Sequence, residues 1–170
     1  MDNLWAPWRH SYIATNKPDT NTPSCFFCEG LKENSDKSNL LLTRLNHNCI
    51  YLNKFPYNNG HLLIAPLEHK GDLAQLNQNQ MLSSTLAIRH LLEILKSIMN
   101  PDGFNIGMNH GAAAGAGVPS HLHWHIVPRW QGDTNFMPVI HNTKVIVQSL
   151  ESLYVLLSKA IVEKPFPKEC

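Results

Sequence analysis

Between Gln78 and Met99 apolar residues recur at spacings of three and four: Leu82, Leu86, Ile88, Leu91, Leu92, Leu95, Ile98 and Met99 form one stripe. That period predicts a long amphipathic helix, with Asn77 as its N-cap and Asn100-Pro101 as its stop. Two short apolar runs precede it, Cys49-Ile50-Tyr51-Leu52 and His61-Leu62-Leu63-Ile64-Ala65. They read as strands of a hairpin joined through Pro56-Tyr57-Asn58-Asn59-Gly60, whose Asn-Gly step is a turn signal. Residues 72–76 read as the start of helical structure, residues 104–108 and 121–127 as two further strands, and residues 146–161 as a last helix. Residues 1–39, rich in Pro, Asn, Thr and Ser around Trp5, Trp8 and Tyr12, read as an irregular arm. Strands in hairpin order around one long helix predict an α+β fold, an antiparallel sheet with helices packed on one face. With no internal repeat or second linker, residues 1–170 are expected to form a single domain.

Composition narrows the class. The chain has 170 residues, 43% hydrophobic and 16% charged, enough for one sizeable core and too apolar for a disordered chain. Lys and Arg number 14 against 13 Asp and Glu, a net charge of +1. No broad basic field is available to hold nucleic acid or an anionic membrane, so an anionic ligand needs a local site. The opening Met1-Asp2-Asn3-Leu4-Trp5 lacks the basic and apolar regions of a secretory signal. The apolar stretch 145–162 is interrupted by Gln148, Glu151, Ser152 and Lys159, which suits an amphipathic helix rather than a membrane span. The expectation is a soluble, cytoplasmic protein.

The chemistry concentrates in His121-Leu122-His123-Trp124-His125-Ile126-Val127. In a strand the three histidines would form a row on one face, neighbours roughly 6 to 7 Å apart. Imidazole serves as nucleophile, acid or base near neutral pH. Just upstream, residues 109–120 contain Gly111, Gly115 and Gly117 among alanines; such a stretch lets backbone N–H groups converge on an oxyanion, although a flexible turn has a similar composition. Cys25-Phe26-Phe27-Cys28 offers two thiolates to a tetrahedral metal, with His69, His121, His47 and Cys49 as candidates for the other two ligands. The same spacing also occurs in redox pairs. Arg129 could neutralise a polyphosphate tail or be a solvated surface residue, and the four tryptophans read as packing residues.

The His-x-His-x-His pattern, together with Gly60-His61 ahead of Leu62-Leu63-Ile64-Ala65-Pro66, resembles the histidine-triad family of nucleotide hydrolases and transferases. The opening Leu4-Trp5-Ala6-Pro7-Trp8-Arg9, the cysteine pair and Gly132-Asp133-Thr134-Asn135-Phe136-Met137 are similar to the bacterial branch that contains diadenosine polyphosphate phosphorylases. The resemblance implies that His123 is the nucleophile and becomes covalently nucleotidylated, while His125 and His61 bind the same phosphate. It implies that Asn53 holds the ribose hydroxyls and that Asn109 contacts the phosphate or its leaving group, beside Gly115 and Gly117 of the cradle. It further implies a structural zinc on Cys25, Cys28, His69 and His121, and a homodimer.

Two departures bear on the reaction. Gly117 stands where dinucleotide hydrolases of the family carry Gln, which leaves room for inorganic phosphate as the acceptor in place of water. His125 stands where uridylyltransferases of the wider superfamily carry Gln. The expected reaction is therefore phosphate-dependent cleavage of diadenosine tetraphosphate or a related dinucleoside polyphosphate. The competing readings are a hydrolase of dinucleoside polyphosphates or nucleoside phosphoramidates, and a zinc-stabilised nucleotide-binding module without catalysis.

Overall fold

A computed structural model describes residues 25–141, 143 and 145–170. The elements in chain order are α1 (Phe26–Lys32), α2 (Asp36–Asn39), β1 (Leu41–Arg44), β2 (Asn48–Leu52), β3 (Leu62–Pro66), α3 (Gln78–Met99), β4 (Gly103–Met108), β5 (Trp124–Arg129), α4 (Met137–His141) and α5 (Leu150–Glu163). Short 3-10 turns occupy Leu73–Gln75 and Ala112–Ala114. Residues 25–134 and 146–170 form one unit; residues 135–145 belong to a second, in which the described residues carry α4.

The strands make one antiparallel sheet in the order β1-β2-β3-β5-β4. The expected hairpin is present, with Ile50 opposite Ile64 and Leu52 opposite Leu62. Gly60 makes its turn possible: its φ is +72°, and a Cβ there would lie 2.8 Å from the Met99 sulfur. β2 and β3 are buried on both faces, and strand alternation sorts their side chains between two layers. Ile50, Leu52, Leu62, Ile64, Trp124 and Ile126 meet Leu91, Ile94 and Leu95 of α3 and Leu153 and Leu157 of α5. Cys49, Tyr51, Leu63 and Ala65 pack with Phe27 of α1. The long helices thus share one face as predicted, and α1 covers part of the other.

The structure departs from the sequence reading in several places. Residues 25–39 hold α1 and α2, so the irregular arm does not extend through 39; the aromatic residues expected in its first part lie outside the described residues. β1 was not foreseen, because Leu41-Leu42-Thr43-Arg44 is too short to show a period. In α3 the capping box at Asn77 and the left-handed Asn100 stand where predicted, but Leu82 is exposed. The face turned inward there is polar: Asn48 donates to Ser83, and Ser84 donates to the Asn48 side-chain oxygen. Hydrogen bonds of Asn48, Ser83 and Ser84 replace apolar packing at that end. The last strand begins at Trp124 rather than at His121, and α5 begins four residues later than expected, after the Ser149 cap. Among the described residues no helix is long and apolar enough to cross a membrane.

Leu91 lies fully buried between the sheet and α5. Leu91→Ala is expected to lower stability by about 2–5 kcal/mol, the usual cost of a cavity at such a site, measured by urea denaturation at constant m-value.

Candidate active site and metal centre

β3 and β4 flank β5, and the register fixes what each side chain meets. His125 lies opposite Leu63 on one side and Gly107 on the other. It therefore belongs to the α1 face, away from the long helices. Before Trp124 the chain leaves the ladder: the His121 N–H donates to the Val118 carbonyl and the Leu122 N–H to the Lys70 carbonyl. The predicted three-histidine strand face is thus half strand and half approach segment. Its rings nevertheless gather, with the His123 and His125 centroids 5.0 Å apart and His61 5.1 Å from His125. His61 comes from the residue before β3.

The hydrogen bonds fix the tautomers. Nδ1 of His123 lies 2.8 Å from the His121 carbonyl oxygen; a carbonyl only accepts, so Nδ1 carries the proton and Nε2 keeps its lone pair. The Tyr57 N–H donates to Nδ1 of His61 at 3.0 Å, which puts the His61 proton on Nε2. That Nε2–H points at Nδ1 of His125, 2.9 Å away, so His125 carries its own proton on Nε2. The latter atom is buried and has no hydrogen-bond partner among the described residues. Two neighbouring imidazoles therefore present opposite character, a lone pair on His123 and an unspent donor on His125. Burial pushes the pKa of His123 down and that of His125 down to about 4, in the latter case with help from His123. Both rings are neutral at pH 7.

Cys25, Cys28, His69 and His121 converge as a second cluster, with their ligand atoms all within 4.8 Å of one another. Sγ of Cys25 is 3.1 Å from Nδ1 of His121, and Sγ of Cys28 is 3.2 Å from Nδ1 of His69 and 3.6 Å from that of His121. Four ligand atoms about 2.0–2.3 Å from a shared ion would stand at comparable separations. Nε2 of His121 donates to the Pro66 carbonyl oxygen at 2.8 Å, which leaves Nδ1 as a lone pair aimed at the thiols. That tautomer suits a metal ligand. Burial and the adjacent Cys25 push the Cys28 thiol up, a charge problem that a divalent cation would resolve. The donor set therefore fits zinc. His47 and Cys49 are not part of it; Cys49 is buried, its thiol pushed up to about 12.

Asn53 stands beside His61, its Nδ2 3.2 Å from Nδ1 of that ring, and its Oδ1 accepts from the Phe55 N–H. Asn109 directly follows β4, where Met108 pairs with Trp124. Its Nδ2 donates to the Gly115 carbonyl oxygen at 3.3 Å, and Gly115 adopts φ +84°. Asn109 thus closes the loop that also holds Gly117. The loop is anchored at His110, whose Nε2 is 3.3 Å from Asp72. It passes so close to Gly71 that a Cβ there would sit 2.9 Å from the Pro119 oxygen. Arg129 is engaged with Asp133 and Asn105, and that pairing, with the Trp130 N–H and Asn58, holds the Asp133 carboxyl down at about 2. Sequence reasoning overlooked Phe27, Tyr57 and Gly71. A lone glycine or an aromatic in a loop carries no periodic signal, and only the fold reveals their neighbours.

Comparison with known proteins agrees with this geometry. The HIT domain family model matches residues 34–132, and the chain belongs to that family. A relative in Mycobacterium tuberculosis, AP-4-A phosphorylase, is 34% identical over 97% of this chain and 87% of its own length. Among solved structures, a zinc-bound histidine triad family protein from Mycobacterium smegmatis superposes with a TM-score of 0.62 at 24% identity, covering 82% of this chain and 94% of that one. Plasmodium falciparum diadenosine triphosphate hydrolase does so with a TM-score of 0.60 at 23% identity, over 74% and 78%. These two share the fold.

Lowering the pH tests the electrostatics. His125 takes up a second proton near pH 4 in the folded chain and near 6.5 when unfolded. The unfolded state thus takes up more protons in between, and stability falls as pH drops from about 6.5 towards 4. By NMR the His125 ring should remain neutral at pH 5.5; half-titration near 6.5 would contradict the assigned environment.

Proposed function

We propose that this chain is an enzyme that cleaves diadenosine tetraphosphate or a related dinucleoside polyphosphate, with inorganic phosphate as the acceptor. The observation that carries the reading is the pairing of an Nε2 lone pair on His123 with a buried, unspent Nε2–H on His125. Nε2 of His123 attacks the α-phosphorus, the bond from phosphorus to the bridging oxygen breaks, and the distal nucleotide leaves with that electron pair. The donor on His125, backed by His61, binds a phosphate oxygen as charge moves onto the leaving group. A phosphate oxygen then attacks the same phosphorus, the phosphorus–nitrogen bond breaks, and the electron pair returns to His123. Asn53 would orient the ribose, and Asn109 with Gly115 and Gly117 would line the phosphate path. The likeness to the mycobacterial AP-4-A phosphorylase along nearly the whole chain favours phosphate over water.

Cys25, Cys28, His69 and His121 would hold a structural zinc, which supplies a cross-link between α1 and the segment before β5. A homodimer would use β4, which among the described residues is an edge strand, with Ile106 45% exposed; such an edge is a template for a second copy. A free nucleotide substrate, rather than nucleic acid, fits the net charge of +1, and we propose a cytoplasmic location.

Incubating the purified chain with diadenosine tetraphosphate decides the acceptor: phosphate-dependent release of ADP and ATP is expected, whereas AMP formed without phosphate would establish hydrolysis instead. His123→Ala should lower kcat by about 10³-fold or more while still binding AMP; undiminished turnover would remove His123 from its role. Metal analysis should find about one zinc per chain, lost in Cys28→Ser.

A further inference from the structure

We infer that Phe27 is a positioning residue that joins the metal centre to the nucleophile, so that loading the Cys25, Cys28, His69 and His121 cluster sets the orientation of the His123 ring. This rests on the reading of the two sites given above. Phe27 lies between the two thiols in sequence and is fully buried. Its ring centroid is 4.9 Å from that of His121 and 5.3 Å from that of His123. One side chain therefore touches a metal ligand and the nucleophile together. A second link runs in parallel, since the His121 carbonyl accepts the Nδ1–H of His123.

What holds Phe27 there is local. α1 has seven residues, too few to be stable without tertiary support. Its supports are the cysteines at its start, the Phe27 ring itself, and the bond from the Tyr51 hydroxyl to the Phe27 carbonyl oxygen at 3.1 Å. Tyr51 reaches that oxygen because Gly30 has no side chain; a Cβ there would lie 2.7 Å from the hydroxyl. Without a metal the cysteine anchor is gone, and the wall against His123 loosens. Coupling of this kind is reciprocal, so a ligand that orders His123 also tightens metal binding.

The test follows the Nδ1–H of His123 by NMR in the full ¹⁵N-labelled chain. In the zinc-loaded protein this proton should be sharp and slow to exchange, and a chelator should broaden it away while the far-UV spectrum is retained. Phe27→Leu, loaded to the wild-type zinc content, should lose the same signal. Its kcat should fall on the order of tenfold to a hundredfold with KM changed by less than about twofold. A signal that stays sharp in the metal-free wild type or in zinc-loaded Phe27→Leu overturns the inference, as does unfolding of the whole sheet on chelation. Phe27→Met replaces Phe27→Leu if the latter does not fold, and the chelation experiment decides alone if neither does. Absence of any nucleotide cleavage by the wild type would count against the proposed function, whereas the ring proton reports on the coupling independently.

Discussion

The hydrogen bond from Nε2 of His121 to the Pro66 carbonyl, 2.8 Å long, sets the arrangement on which both sites depend. It places the His121 proton on the side of β3 and leaves Nδ1 bare towards Cys25 and Cys28. It also holds the backbone of His121 where its carbonyl accepts from His123. Flipping the tautomer would set a bare Nε2 against the Pro66 carbonyl oxygen, leaving two buried acceptors face to face. Each unpaired acceptor costs about 1–3 kcal/mol, a factor of roughly 5 to 150 in population. A single imidazole thus orients one lone pair towards the thiols and, through its backbone carbonyl, the His123 ring.

Division of labour between the sheet faces follows from the same register. α3 and α5 cover one face with aliphatic side chains, and the histidines stand on the other beside Phe27 and Tyr57. Burial on that face keeps the rings neutral. A His125 pKa of about 4 leaves only about one ring in a thousand charged at pH 7. In the proposed reaction that neutrality matters in two ways: an imidazolium on His123 would have no lone pair for attack, and one on His125 would disfavour the positive charge that His123 gains when it bonds phosphorus. Desolvation, which taxes a folded protein elsewhere, here sets the proton inventory.

The long helix, the β2–β3 hairpin and the cluster of Cys25, Cys28, His69 and His121 were legible in the sequence, for different reasons. A period of three and four repeated over 22 residues outweighs local noise, and an Asn-Gly step between two apolar runs is a turn with a mechanism. The ligand set came from a resemblance, since spacing alone left His47 and Cys49 open. Other features were not legible. Alternation extended the last strand back to His121, but the partners of a strand set its limits, and here Val118 and Lys70 take the backbone of that approach. Burial of Ser83 and Ser84 in place of Leu82 depended on Asn48, which lies 35 residues from Ser83. The tautomers of His121, His123 and His125 depend on which carbonyl or N–H lies within about 3 Å of each ring, and no sequence pattern encodes that.

The geometry also constrains how a reaction in two displacements proceeds. His121 and Phe27 stand against one side of His123, β3 contributes Leu63 and the neighbouring His61 beside His125, and the aliphatic core fills the opposite face of the sheet. On the β4 side His125 meets Gly107, where a Cβ would find nothing within 4 Å among the described residues. A glycine inside a strand often marks close approach by another group, and here no side chain stands at that position beside His125, whose Nε2 has no partner among the described residues. The segment from Asn109 to Gly117 begins at the same end of β4. Leaving group and acceptor would therefore use the same opening in turn. In the proposed reaction, a nucleophile walled on these sides would need no movement between the two steps: the acceptor would take the place that the leaving group has vacated, and the bond to His123 would break along the line on which the first bond was broken.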